Sequence, residues 1–221
     1  MLFSSAIRSA CLFLVLGCLP LAWASEKPNI VFVLFDDMGW GQPQSYDPRS
    51  ALRTPNFDRL VRQGMRFTDA HSASAVCTPT RYGVLTGRYP SRIGQFGVLT
   101  TFSKPIIPLT RLTVASLLKQ HGYATAAIGK WHLGMDWVEG KPGTEKEVPI
   151  GARMTGGPNA LGFDYFYGTP LYNGAVVSVP DSPFRSPIFR NGEVVVKAVQ
   201  TWDNITADYT REAIAYIIAN R

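Results

Sequence analysis

Six consecutive apolar residues, Ile30-Val31-Phe32-Val33-Leu34-Phe35, run without a polar interruption and stop at Asp36-Asp37. A strand with one wet face alternates apolar and polar residues, and this run does not. It therefore reads as a strand buried on both faces, as in the parallel sheet of an α/β fold. Sheets of that kind place their ligands at the carboxyl ends of strands, so Asp36 and Asp37 fall where a site is expected.

The pattern downstream keeps alternating. Thr54-Pro55 joins an N-cap residue to a proline at the first helical position. Phe57, Leu60 and Val61 give that helix one apolar face, and Gly64 ends it. Met65 to Asp69 reads as a short return strand. Thr78-Pro79 repeats the helix start, with Gly87 at its end. Thr113 caps a third helix, with Val114, Leu117 and Leu118 inward and Gly122 as terminator. Tyr123 to Ile128 is a second buried strand, leading into Gly129-Lys130-Trp131-His132. This order predicts an α/β core with a mostly parallel central sheet. From Lys141 to Pro187, glycine, proline and aromatic residues predict long surface loops with local clusters. Thr206 to Asn220 predicts a helix with Tyr209, Ala213, Tyr216 and Ile217 on one face. Such a helix should feed another strand, and the sequence ends at Arg221, so a chain cut short at its C-terminus is expected.

Residues 1–24 have the three parts of a secretory signal. Arg8 supplies the positive region, Ala10 to Leu21 the apolar run, and Ala22-Trp23-Ala24 the cleavage site, leaving Ser25 as the mature start. The run is short for a membrane anchor, and it continues past Cys18, which disfavours a lipoprotein. No later segment reads as a membrane helix, so no stable span is expected after cleavage. Export implies a periplasmic or extracellular location in a bacterium, and a lysosomal or secreted one in a eukaryote. There Asn204-Ile205-Thr206 would be a glycosylation sequon. Residues 25–221 are long enough for one or two domains. Their formal charge is +5, against +6 for the whole chain, because Arg8 leaves with the signal. The basic residues are scattered, which argues against a nucleic-acid partner and is compatible with an anionic ligand.

Cleavage also leaves a single cysteine, Cys77, since Cys11 and Cys18 lie in the signal. A lone thiol in an oxidising compartment is incidental, intermolecular or chemically special. Its neighbours favour the third. With Thr78 as cap, Cys77 sits just outside a helix N-terminus, where amide groups and the helix dipole favour negative charge. Arg81, four residues on, faces the same spot. Asp36 and Asp37 are either the ligands of a hard divalent cation, or solvated loop acids or a helix cap. Lys130 and His132 are two residues apart; in an extended segment they point the same way and could bind an anion or move a proton. Otherwise they are a surface lysine and a packed histidine. His71 has no comparable setting, and His121 reads as a helix C-terminus.

Residues 75–87, Ala-Val-Cys-Thr-Pro-Thr-Arg-Tyr-Gly-Val-Leu-Thr-Gly, resemble the sulfatase signature around the modified cysteine. Residues 122–132, Gly-Tyr-Ala-Thr-Ala-Ala-Ile-Gly-Lys-Trp-His, resemble the second sulfatase signature, and Asp36-Asp37 falls where that family keeps its first metal-binding acids. The three matches occur in the family's order over about residues 28–135, and the nearest look is arylsulfatase-like.

The resemblance implies an alkaline-phosphatase-like α/β sandwich, of which residues 25–221 are the N-terminal part. It implies oxidation of Cys77 to formylglycine by a formylglycine-generating enzyme. The hydrated aldehyde attacks the sulfur of an aryl or carbohydrate sulfate, the alcohol leaves, and sulfate is then expelled as the aldehyde re-forms. Asp36, Asp37 and residue 77 would hold calcium, with magnesium as the second choice. Arg81 would hold the diol, Lys130 the sulfate, and His132 would orient the diol or assist product release. Substrate choice would come from loops such as Tyr46 to Arg53. The family's second Asp-Asn metal pair and its later His and Lys have no counterpart here; Asp203-Asn204 precedes a helix and is not assigned. A phosphodiester or phosphonate hydrolase of the same fold, and a non-catalytic anion-binding chain, are the alternatives.

Overall fold

The structure is a computed structural model that describes residues 27–100, 103–139, 152–170, 187–196 and 204–221. The export signal expected at residues 1–24 lies outside the described residues. The chain divides into two units, Met1–Val33 and Leu34–Arg221. In the first, residues 27–33 form neither helix nor strand, and Ile30 to Val33 are exposed.

The strand expected over Ile30–Phe35 is therefore not formed, and Leu34 and Phe35 are exposed as well. A strand buried on both faces is held by ladders at its edges and by layers above and below, not by propensity alone. Among the described residues this segment enters no ladder, and Phe35 stays exposed while meeting Phe57 edge-on at 6.1 Å. The short strand expected at Met65 to Asp69 is missing for the same reason: Met65 and Phe67 are exposed. There the Phe67 carbonyl accepts from the Tyr46 hydroxyl instead of a ladder partner.

The second unit is α/β, as expected. Helix α1 spans Pro55–Gln63 and α2 spans Cys77–Thr86. A 3-10 turn at Pro90–Ile93 follows, then α3 at Val114–Gln120. Strand β1 spans Ala126–Ile128, β2 Asp136–Trp137 and β3 Met154–Thr155. Another 3-10 turn, Pro158–Leu161, leads into β4 at Tyr165–Gly168. Strands β5 (Ile188–Arg190) and β6 (Glu193–Val196) precede α4 at Ile205–Ala219. Four strands form one sheet in the order β1-β4-β5-β6, and β2 pairs with β3. The β1–β4 pair is parallel, with Ala126 opposite Tyr165, whereas β4–β5 and β5–β6 are antiparallel. Among the described residues the sheet is thus mixed.

Several residues read as surface loop belong to the centre of this sheet. Phe166 and Tyr167 in β4 are buried, and β4 has a strand on each side. The aromatic run around Gly162 hid a strand because its composition resembles that of a loop cluster. Gly168 explains one of its glycines: a Cβ there would lie 1.8 Å from the Gly129 carbonyl oxygen. The core beneath joins Tyr82, Ile107, Trp131, Leu133, Met135, Leu161, Phe166 and Phe189. Each large apolar side chain in it contributes roughly 1.5–3 kcal/mol by leaving water.

Helix α2 ends, and helix α3 begins, where expected. Gly87 closes α2 with φ 64°, a left-handed turn that favours glycine. Thr113 caps α3 through a reciprocal capping box with Ser116. The apolar face expected for α3 differs: Ala115 is buried, while Val114 and Leu117 are exposed. This short helix is anchored by its start, where the buried Thr113 hydroxyl donates to the Leu161 carbonyl at 2.6 Å. In α4, Tyr216 stacks on Tyr165 with ring centres 5.4 Å apart, and Tyr209 meets Tyr167 edge-on. Ile217 falls outside that face and is exposed.

Candidate functional site

Helix α2 begins two residues earlier than its sequence suggests. Val76 is the extended residue before it, and Cys77 occupies the first helical position. Pro79 is tolerated two residues later because the first-turn amides lack intrahelical acceptors anyway. Thr78 is accordingly not the cap. It is wholly buried, and its hydroxyl accepts from the Leu99 amide at 3.1 Å and donates to the His132 carbonyl at 2.9 Å.

Arg81 follows Cys77 by one turn, as expected. Its Nη1 donates to the Lys130 carbonyl at 2.5 Å, and its Nη2 lies 3.5 Å from Asp36 Oδ1. Only 13% of its side chain is exposed. Its Nε is buried and has no hydrogen-bond partner.

Lys130 reaches the same carboxylate from the far end of β1. Gly129 N–H donates to Tyr167 O at 2.8 Å, Trp131 N–H to Thr169 O at 2.9 Å, and His132 N–H to Pro170 O at 3.0 Å. The β1–β4 ladder thus continues past the strand and carries Lys130 with it. Lys130 Nζ lies 2.6 Å from Asp36 Oδ2, with 6% of the side chain exposed.

The expectation that Lys130 and His132 point the same way from an extended segment does not hold. His132 has φ 58°, a left-handed conformation that breaks the alternation. Its side chain is buried, with Nε2 2.9 Å from the Leu99 carbonyl oxygen.

Asp36 and Asp37 each present a carboxylate oxygen to this spot. Together with Cys77 Sγ, these atoms all lie within 4.8 Å of one another. Asp37 also has a left-handed backbone, φ 59°. Oxygen donors suit a hard cation, whereas a thiol does not. The set becomes all-oxygen only when residue 77 itself carries oxygen. Calcium takes roughly six to eight oxygen ligands, so these residues amount to part of a shell.

The electrostatics follow from the packing. Burial pushes the Asp36 carboxyl up, but the Lys130 ammonium and Arg81 guanidinium outweigh it and hold it below the usual carboxylate range. Burial lowers the Arg81 guanidinium, while Asp36, Cys77 and Asp37 oppose that shift. Burial also lowers His132, helped by the charges of Lys130 and Arg81 and opposed by the Leu99 carbonyl and Asp36. The imidazole is therefore neutral near pH 7.

All six residues singled out in the sequence, Asp36, Asp37, Cys77, Arg81, Lys130 and His132, belong to this constellation or to the hydrogen bonds that hold it. Sequence reasoning missed Thr78 as a bridge, reading its hydroxyl as a cap, and nothing in the sequence pointed to Leu99. His71 pairs with Asp69 at an exposed position, and His121 ends α3. Asn204 precedes α4, and Asp203 lies outside the described residues. Tyr46 to Arg53 is a run of turns in which Ser50 Oγ donates to Gln42 O at 2.5 Å.

The sulfatase family model matches residues 28–221. N-acetylgalactosamine-6-O-sulfatase of Bacteroides thetaiotaomicron is 37% identical over 185 residues, covering 84% of this chain and 33% of that protein. Human steryl-sulfatase is 42% identical over 156 residues, covering 68% of this chain and 25% of that protein. Among solved structures, Ps i-CgsB in complex with k-i-k-neocarrahexaose superposes with a TM-score of 0.62 at 28% identity, covering 83% of this chain and 40% of that one. The chain spans about a quarter to a third of the length of these two curated relatives.

Proposed function

The chain belongs to the sulfatase family, and from that premise we propose that residues 25–221 are the N-terminal part of a catalytic domain that hydrolyses sulfate esters of aryl or carbohydrate alcohols. The observation that carries this reading is the convergence of Asp36, Asp37 and Cys77 within 4.8 Å, faced by Arg81 and Lys130. Sulfate transfer builds negative charge on the transferred and leaving oxygens, and fixed positive groups there lower the barrier.

Residue 77 acts as the nucleophile after its conversion to formylglycine by a formylglycine-generating enzyme. The aldehyde hydrate supplies an oxygen nucleophile; expulsion of sulfate, with loss of the second hydroxyl's proton, re-forms the aldehyde, and water adds to it to restore the hydrate. Asp36 and Asp37, with residue 77, hold a divalent cation, calcium before magnesium. That cation supplies Lewis-acid charge for the sulfate oxygens. The buried Nε of Arg81, which lacks an acceptor, fits a role in holding an oxygen on residue 77. Lys130 shifts from balancing Asp36 to binding a sulfate oxygen. His132, neutral through burial, can accept a proton at the site. A sulfated glycan is the favoured substrate class, because one relative is named for N-acetylgalactosamine 6-O-sulfate and one neighbour was solved with a neocarrahexaose. Residues 1–24 act as an export signal, placing the mature protein in the periplasm or outside the cell, or in a eukaryotic lysosome.

Turnover of paired sulfate and phosphate esters by the full-length protein tests this reading. Sulfate hydrolysis that exceeds phosphate hydrolysis and vanishes in Cys77→Ala supports it. Preferential phosphodiester or phosphonate hydrolysis would assign the same fold to the alternative reaction, and no turnover with intact anion binding would make the protein a binding module.

A further inference from the structure

Thr78 stands next to residue 77 in sequence, yet its hydroxyl serves two segments far away. It accepts from Leu99 N–H and donates to His132 C=O, and the side chain is fully buried. The same two segments meet a second time, where His132 Nε2 lies 2.9 Å from Leu99 O. Thr78, Leu99 and His132 therefore close a ring of three hydrogen bonds. One member of that ring is held in a backbone conformation that a side-chain-bearing residue rarely adopts, His132 at φ 58°. Such a conformation persists only when its surroundings fix it. The Thr78 hydroxyl is well placed to do so, because it holds the carbonyl of His132 itself.

We propose that Thr78 is a positioning residue for the reaction: its hydroxyl fixes the left-handed turn at His132 and, through Leu99, the acceptor of the imidazole. Helix α2 then carries both the nucleophile at residue 77 and the hydroxyl that fixes the backbone of His132. The inference rests on the sulfate-ester reading of this site. A role in packing alone makes a different demand on residue 78. Valine keeps the shape of threonine without the hydroxyl, whereas serine keeps the hydroxyl without the methyl group.

The test compares Thr78→Val and Thr78→Ser in the full-length enzyme, with kcat expressed per aldehyde at residue 77 as counted by mass spectrometry. Thr78→Val is expected to lower kcat roughly 10- to 100-fold with KM changed less than about twofold, while Thr78→Ser stays within about threefold of wild type. In a His132→Ala background, adding Thr78→Val should cost less than about twofold more, because the two residues act as a unit. Wild-type kcat in Thr78→Val, or a full additional loss in the His132→Ala background, overturns the proposal. If Thr78→Val does not fold, Thr78→Ala takes its place in the same comparison. If the wild-type enzyme turns over no sulfate ester, the functional reading fails separately. The imidazole resonances of His132 then decide: displaced by Thr78→Val and restored by Thr78→Ser supports positioning, and unmoved by either overturns it.

Discussion

Lys130 Nζ lies 2.6 Å from Asp36 Oδ2, joining residues 94 positions apart. The pair links the second signature to the first acidic pair, and Arg81 approaches the other oxygen of the same carboxylate. Two cations and the proposed metal thus compete for one carboxylate. Lys130→Met should lower kcat/KM by roughly 10²- to 10³-fold, by analogy with loss of a single charge-stabilising donor. The same substitution should leave calcium affinity, measured by calorimetry, equal or tighter, because it frees Asp36. Weaker calcium binding in Lys130→Met would mean that the ammonium supports the metal site instead of competing with it.

Asp36→Asn should have the opposite signature. It removes a proposed calcium ligand and the carboxylate charge that Lys130 and Arg81, both mostly buried, share. Since 38% of the Asp36 side chain is exposed, solvent moderates the cost to about 1–2 kcal/mol. Denaturant unfolding should show that loss in calcium-free buffer, together with loss of calcium-dependent stabilisation. An unchanged midpoint would contradict the charge balance described for the site.

Alkaline stability should depend on Tyr209. Burial, aided by Tyr167 and Asp208, pushes its phenol from 10.0 up to about 12, against a hydrogen bond with Thr169. The folded state therefore holds this proton more tightly than the unfolded state. The stabilisation is complete below about pH 10 and is lost as pH rises from about 10 to about 12. Tyr209→Phe should flatten that part of the stability curve, measured by urea unfolding at successive pH values. An equally steep decline in the variant would assign the effect to other groups.

Gly168→Ala tests the backbone approach that carries Lys130 to the site. The added Cβ would lie 1.8 Å from Gly129 O, which backbone must move to relieve. A loss of about 3 kcal/mol or more is expected from thermal or denaturant unfolding. A neutral result would show that Gly129 and Gly168 can separate without disturbing the ladder.

The site was more legible in the sequence than the sheet that holds it. Cys77 and Arg81 share a helix, so four-residue spacing was enough to bring them together. Asp36 and Lys130 were found by residue type and motif, although only the continued β1–β4 ladder explains how they meet. His132 has another local geometry than its spacing implies: two-residue spacing assumes extended backbone, and φ 58° violates it. The sheet was harder because strands are made by partners. Ile30–Phe35 had every intrinsic mark of a strand and forms none, whereas Tyr165–Gly168 looked like loop and lies between two strands. Thr78 was misread because one hydroxyl can cap its own helix or bridge distant chain, and local sequence favours the nearer use.

The central claim concerns what residue 77 is in the mature protein. Peptide mass spectrometry of the exported full-length protein, with a carbonyl-reactive probe, tests it most directly. The expected result is an aldehyde or its hydrate at position 77, absent from Cys77→Ala and from protein made without a formylglycine-generating enzyme. An unmodified thiol at position 77 in protein that hydrolyses sulfate esters at full rate would contradict the account.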